Sequence, residues 1–183
     1  MTSSMRVEGR AASLSPVVGS IVFFLVAPMT VVGWIPYAIS GWRFGPPVLG
    51  LAVSRALGGV LLVIGAAGLV DSFARFALQG RGTPAPIAPP TDLVVTGLYR
   101  YARNPMYICV LSAIVGQALL FGDVELLKYA GIVWLLAHTF VVAYEERALR
   151  ARFGGSYDAY RSNVPRWLPR LRPWMPPAER AAG

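Results

Sequence analysis

Residues 16–39 form a run of 24 residues without a charged side chain, and this run strongly limits what the chain can fold into. About 20 consecutive apolar residues are enough to cross the hydrocarbon core of a bilayer as a helix. The run is longer and more uniformly apolar than the core of a cleaved signal peptide, and it has no obvious small-residue cleavage site. We therefore expect a first transmembrane helix here, with a kink at Pro28.

Three further apolar runs follow. The second covers about residues 54–70 and continues as a more polar helix to residue 78, the third covers 105–121, and the fourth covers 126–143 with a helical pattern that continues to 153. Apolar residues make up 55% of the chain and charged residues 14%, which is too apolar for a soluble domain of this size. The predicted fold class is all-α, a polytopic membrane bundle of about four transmembrane helices. It forms a single domain over residues 1–183, with the first two spans in residues 16–78.

The arginines predict how the spans are oriented. They concentrate at the N-terminus, between the second and third spans and in the C-terminal segment, whereas only Arg43 and Lys128 fall on the opposite side. Because basic loops stay on the cytoplasmic side, both termini are expected in the cytoplasm. Few lysines beside much arginine, alanine, glycine and proline are typical of a GC-rich bacterial genome, so we expect a bacterial inner (plasma) membrane protein.

Composition also excludes several classes of function. The chain has one cysteine, Cys109, and one histidine, His138, so an intrachain disulfide is impossible and a zinc cluster cannot be built. The net charge of +8 does not indicate nucleic-acid binding, because the arginines lie at span ends and no groove-reading or stacking motif accompanies them. We predict neither a metal site nor a nucleic-acid partner.

The start of the third span is a first candidate site. Asn104 is a good helix N-cap and Pro105 is the favoured first helical residue. The free N–H groups and positive dipole of such a terminus suit a carboxylate or a phosphate. The simpler alternative is a capped span with an interface belt of arginines and tyrosines.

The end of the fourth span is a second candidate site. His138, Val142 and Glu145 share a helix face at i, i+4, i+7 spacing, and Glu146 follows directly. The simpler alternatives are a buried, hydrogen-bonded histidine and a solvated Glu146 paired with Arg150. After residue 153 we expect a turn and a short cytoplasmic amphipathic helix that lies on the membrane or covers a pocket. A ligand with a carboxylate, a cation and an aromatic base would suit both sites, and S-adenosylmethionine has all three.

Residues 91–169 resemble the catalytic half of the isoprenylcysteine carboxyl methyltransferase family, which are integral membrane enzymes. The family pattern is a Gly-x-Tyr turn, Arg-His-Pro-x-Tyr, a mid-helix glycine, a glutamate pair, Phe-Gly-x-x-Tyr-x-x-Tyr and Val-Pro. The matching positions are Gly97 and Tyr99, residues 103–107, Gly116, Glu145 and Glu146 with Leu149, Phe153, Gly154, Tyr157, Tyr160, Val164 and Pro165. A phospholipid methyltransferase family shares the glutamate pair more loosely.

The resemblance implies an S-adenosylmethionine site between the third and fourth spans, open to the cytoplasm. The N–H groups after Pro105 would hold the methionine carboxylate, Glu145 the ammonium, and the tyrosines the adenine or sulfonium. The cofactor contacts that it implies are Thr91, Asp92, Leu93, Val94, Tyr99, Asn104, Pro105, Met106, Tyr107 and Glu145.

Two positions depart from the family pattern, the first at the cofactor site, which we expect to survive because asparagine can still donate and cap, and the second at the substrate site. Asn104 replaces the family histidine, and Val141 stands where eukaryotic members have an arginine thought to hold the substrate carboxylate. We expect a lipidic, isoprenoid-like acceptor that enters from the bilayer. A carboxylate acceptor needs no base, whereas a phenol, alcohol or amine would need one, for which Glu146 and His138 are the catalytic candidates. The alternatives are a phospholipid or amine N-methyltransferase, a non-catalytic membrane scaffold, or a reductase of related fold.

Overall fold

Five helices dominate residues 26–79 and 93–176, which are the residues that the computed structural model describes. No strand occurs among these residues, so the all-α prediction is confirmed for them. Short 3₁₀ turns precede α2 and α3 at Val48–Gly50 and Gly97–Arg100. The helices are α1 (Val26–Ser40), α2 (Val53–Gln79), α3 (Pro105–Phe121), α4 (Val124–Phe153) and α5 (Gly155–Asn163).

Two of these helices, α2 and α4, are long and apolar enough to cross a membrane. The spans are Val53–Arg75 and Val124–Phe153, with mean hydropathies of 1.9 and 1.7. Helices α1 and α3 are apolar but shorter in the described residues. Residues 16–25 of the first predicted span lie outside these residues. Four crossings and cytoplasmic termini therefore stay predictions.

Glycines allow α2 and α3 to pack with their backbones almost in contact. A Cβ atom on Gly116 would lie 2.6 Å from the backbone nitrogen of Leu62 and 2.8 Å from the carbonyl oxygen of Gly58. A Cβ atom on Gly65 would similarly lie 2.7 Å from the carbonyl oxygen of Cys109. Small residues at such a crossing maximise van der Waals contact where no hydrophobic effect drives helices together. The mid-helix Gly116 of the motif is therefore a packing residue.

Helix α1 departs from α-helical geometry directly after Pro28, because Met29–Trp34 is π-helical. Two side chains from other helices donate hydrogen bonds to carbonyl groups in this stretch. The Tyr129 hydroxyl donates to the Val31 carbonyl at 3.0 Å, and the Gln117 amide donates to the Val32 carbonyl at 2.7 Å. These bonds attach α1 to both α3 and α4.

Helix α4 also contains a π turn, Val141–Glu145, at the end of the apolar run. Val141 is buried with 1% of its surface exposed, whereas Val142 is 40% exposed. Val142 is therefore more exposed than His138 and Glu145, with which it was predicted to share a helix face. The i, i+4, i+7 rule assumes regular α-helical spacing, and a π turn changes that spacing.

Candidate functional site

A C-terminal strap, defined here as residues 164–174, lies across the turn that precedes α3. The Pro165 carbonyl accepts a hydrogen bond from the Arg103 backbone N–H at 2.9 Å, and the Arg170 backbone N–H donates to the Tyr101 carbonyl at 2.9 Å. Val164 and Trp174 are buried at its two ends. The strap thus covers the start of the third predicted span.

Aromatic side chains from α5 form a small core under the strap. Tyr157 and Tyr160 are buried with Val164 and Trp174, and Leu93 packs against this cluster. The Tyr160 hydroxyl donates to the Tyr99 carbonyl at 2.7 Å. Burial raises the pKa of the Tyr160 phenol. The short helix after residue 153, which was predicted, therefore packs over the turn.

The Glu146 carboxylate is buried between two arginines that come from distant parts of the chain. The Arg103 Nη1 atom lies 2.8 Å from its Oε1 atom, and Arg166 donates through Nε to Oε1 at 2.7 Å and through Nη2 to Oε2 at 3.0 Å. The predicted alternative pairing of Glu146 with Arg150 is wrong, since Arg150 instead contacts Asp158 at 3.0 Å. The two-point contact with Arg166 ties the strap to α4.

This arrangement gives Glu146 an evident structural role. Both of its carboxylate oxygens accept hydrogen bonds from guanidinium groups, which favours the ionised form and leaves a weak base. A catalytic role for Glu146 stays a prediction, but it would require at least one of these contacts to open.

Two predicted binding residues, Tyr107 and Glu145, meet at the π turn of α4. The Tyr107 hydroxyl, in the first turn of α3, donates to Glu145 Oε2 at 3.3 Å. Tyr99 is buried, and burial raises the pKa of its phenol well above the ordinary value, with smaller contributions from Tyr160, Glu145 and Tyr107. One phenol and one carboxylate therefore meet between α3 and α4, where the resemblance implies the cofactor site.

The start of α3 differs in one detail from the prediction. Pro105 is the first helical residue, as expected, and Asn104 occupies the N-cap position, but the Asn104 side chain makes no capping bond. Its amide donates instead to the Arg166 carbonyl at 3.2 Å, because the strap passes closer than the helix terminus. The helical pattern leaves the N–H groups of Met106 and Tyr107 without intrahelical acceptors.

His138 is half-buried and hydrogen-bonded, in agreement with the simpler prediction. Its Nδ1 atom accepts a hydrogen bond from the Trp167 indole at 3.0 Å, and its ring stacks between Trp134 and Trp167. An accepting Nδ1 leaves Nε2 as the protonated nitrogen of the neutral ring. Trp167 also contacts the Tyr107 ring edge-on, with the ring centroids 6.3 Å apart.

Sequence reasoning missed Arg166 and Trp167 as site residues. Both lie in the segment that carries the family resemblance, but no helical or strand spacing relates them to Glu146 or His138. The signal that could have found them is one cationic and one aromatic side chain directly after the Val-Pro motif. Thr91 and Asp92, which were also predicted to bind the cofactor, lie outside the described residues.

An apolar groove of about 490 Å³ opens beside this cluster, between α1, α3 and α4. Met106 and Tyr107 lie at one end of it, next to the Tyr107–Glu145 hydrogen bond. The groove residues outside that end are almost all apolar. They are Ala27, Pro28, Val31, Ile35, Phe73, Val110, Tyr129, Ile132, Val133, Leu136, Ala137 and Phe140.

Comparison with known proteins identifies the class to which this fold and site belong. Residues 53–156 match the sequence model of the phospholipid methyltransferase family, and the chain belongs to that family. This match covers α2, α3 and α4 together. The family and the two long apolar helices indicate a membrane protein.

Two curated proteins show what the chain is similar to more particularly. A protein-S-isoprenylcysteine O-methyltransferase of Schizosaccharomyces pombe is 33% identical over 78 residues, 42% of this chain and 33% of that enzyme. The nickel-cobalt-cadmium resistance protein NccN of Alcaligenes xylosoxydans xylosoxydans is 31% identical over 81 residues, 44% of this chain and 38% of that protein. The matched segment is thus little more than a third of each relative. No solved structure matches the chain. The resemblance to the isoprenylcysteine methyltransferase family is confirmed.

Proposed function

We propose that the protein is an S-adenosylmethionine-dependent methyltransferase that acts on a lipidic, isoprenoid-like acceptor held in the membrane. Membership of a methyltransferase family supplies the reaction class. The observation that carries the rest is the position of the Tyr107–Glu145 pair at the end of an apolar groove. Polar groups suited to a cofactor and an apolar channel suited to a lipid tail meet at that point.

The donors and acceptors at this point fit S-adenosylmethionine. The N–H groups of Met106 and Tyr107 would donate hydrogen bonds to its carboxylate, and the Glu145 carboxylate would hold its ammonium group. The buried Tyr99, just before α3, is the further residue that the family resemblance assigns to the cofactor. When bound, S-adenosylmethionine would supply an electrophilic methyl group on a sulfonium.

The groove fits the hydrocarbon part of an acceptor. Its walls from α4 include Ile132 and Leu136, whose side chains are 57% and 66% exposed on the surface of a candidate span. A lipid tail would therefore reach the groove sideways from the bilayer and place its polar end near Tyr107. Exclusion of water there strengthens electrostatic contacts, and alignment of the two reactants supplies most of the rate enhancement.

The neighbouring side chains favour an acceptor that is already nucleophilic. Both oxygens of Glu146 contact arginines, so this carboxylate is not free to take a proton from an acceptor. A carboxylate acceptor needs no base in this setting. An acceptor that must lose a proton would depend on His138, and the Trp167 indole would first have to release Nδ1, because Nε2 already carries the proton of the neutral ring.

Binding of the cofactor tests this proposal. Isothermal calorimetry and thermal shift of the detergent-purified protein should show binding of S-adenosylmethionine and S-adenosylhomocysteine but not of NADPH. Glu145→Gln should weaken that binding strongly, whereas Glu125→Gln should not, because the Glu125 side chain is 63% exposed and pairs only with Lys128 at the other end of α4. Absence of binding to either methionine-derived ligand, or equal affinities of the two variants, would contradict the proposal.

A further inference from the structure

Two leucines of the strap point away from the residues that the structure describes. Trp167 and Trp174 pack against the protein, as described above. Leu168 and Leu171, which lie between these tryptophans along the strap, are 80% and 100% exposed. Exposed leucines on a basic segment of a membrane protein suit a contact with lipid.

The strap lies where the apolar helices end. Pro169 lines a cavity of about 530 Å³ between α2 and α3, together with residues of the candidate span such as Ile64 and with Ile108 of α3. Trp167 contacts His138 near the end of the apolar part of α4. The exposed leucines therefore lie near the start of α3 and near the end of the apolar part of α4.

The charge of the strap is positive. Residues 164–174 contain three arginines and no acidic residue. Arg172 is exposed, and the Arg170 guanidinium donates to the Asn163 carbonyl, an uncharged group. Arg166 and Arg103 share the single carboxylate of Glu146, which leaves one positive charge in excess there. Interspersed leucines and arginines at this level match an interface of anionic phospholipids.

We propose that the strap docks on the anionic surface of the bilayer, with Leu168 and Leu171 below the phosphates and Arg172 among them. Because Arg166 and Trp167 of the same strap hold Glu146 and His138, docking also stabilises the closed position of the strap over α3 and α4. This proposal does not depend on which reaction the protein catalyses.

A fluorescent label at Leu171 in lipid nanodiscs tests it. In a Cys109→Ser background, Leu171→Cys is labelled with an environment-sensitive dye, and Ser156→Cys, on the exposed face of α5, is the matched control. In discs with about one-third phosphatidylglycerol we expect blue-shifted emission and quenching by spin-labelled lipid at position 171 alone. In pure phosphatidylcholine both signals should be much weaker. A label at 171 that stays in water in the anionic discs, or that is equally buried in both lipids, would overturn the proposal.

The charge dependence is tested with two variants of the labelled protein. A basic residue near an anionic surface contributes enough binding energy that Arg172→Gln should lower the docking equilibrium about fivefold. Arg43→Gln, an exposed residue between α1 and α2 at the opposite end, should leave it unchanged. In unlabelled protein, hydrogen exchange of the strap should be slower in anionic discs than in phosphatidylcholine discs. Arg172→Gln should reduce this difference more than Arg43→Gln does. Equal docking by the two variants would show that the surface charge of the lipid is not what the strap recognises.

Discussion

Replacing Glu146 by glutamine tests how the strap is held. The substitution keeps the size and planarity of the side chain but removes the negative charge that Arg103 and Arg166 share. The Arg103 and Glu146 side chains are only 9% and 10% exposed, and the Arg166 side chain is 28% exposed. Two guanidinium groups would then face each other in a poorly hydrated site.

The magnitude follows from this burial. Removing one partner of a buried ion pair costs about 3–5 kcal/mol. Because Arg166 is partly hydrated and is free to move with the strap, we expect the lower end of that range, about 3 kcal/mol. A tenfold change in an equilibrium corresponds to about 1.4 kcal/mol, so the open population of the strap should rise by roughly a hundredfold.

Hydrogen–deuterium exchange measures this opening directly. The backbone N–H groups of Arg170 and Trp174 donate at 2.9 Å to the carbonyls of Tyr101 and Arg100, in the turn before α3. These N–H groups therefore exchange when the strap detaches. Asp158→Asn is the matched control, because the side chains of its ion pair with Arg150 are 43% and 61% exposed. Such a surface pair contributes at most about 1 kcal/mol, or roughly fivefold. Exchange in Glu146→Gln that matches the wild type or the control would refute this account of the strap.

Three further substitutions test separate parts of the structure. Gly116→Ala should separate α2 from α3 and lower the free energy of unfolding by about 1–3 kcal/mol, measured by thermal unfolding. Gly131 has open space around it, so Gly131→Ala should be neutral or stabilising. Equal effects of the two substitutions would exclude close packing as the cause. Trp167→Phe keeps an aromatic ring but removes the indole N–H that donates to His138. Hydrogen exchange of the strap should then rise about fivefold. An unchanged exchange rate would show that this hydrogen bond does not hold the strap. Burial raises the pKa of the Tyr160 phenol, so as the pH rises this phenol ionises in the unfolded chain before it does so in the folded protein. The free energy of unfolding should therefore be constant up to about pH 10 and fall above it. Tyr160→Phe should reduce this loss of stability. A loss as large as in the wild type would show that other groups cause it.

The helices were predictable from the sequence because their signals are local. Long apolar runs, Pro105 at a helix start and Gly154 after a polar helical pattern place α2, α3 and α4 within a few residues of the observed bounds. Such features depend on a single turn of chain or on a continuous stretch of apolar residues.

The contacts at the site were less predictable because they join distant residues. Glu146 was assigned to Arg150, one turn away, but its partners are 43 and 20 residues distant along the chain. Helical spacing cannot find such pairs. Asn104 shows the same limit, since its sequence predicts a cap and the nearby strap offers its amide a better acceptor. The π turn at Val141–Glu145 likewise has no simple sequence signal, and it changes which valine faces inward.

Transfer of a labelled methyl group to lipid tests the central claim most directly. Membranes containing the protein are incubated with S-adenosylmethionine that carries a tritiated methyl group, and the organic-solvent extract is then counted. The proposal predicts label in a lipid product with wild-type protein and with Glu125→Gln, and its loss with Glu145→Gln. Label that appears only in water-soluble products, or transfer to lipid that does not depend on Glu145, would contradict it.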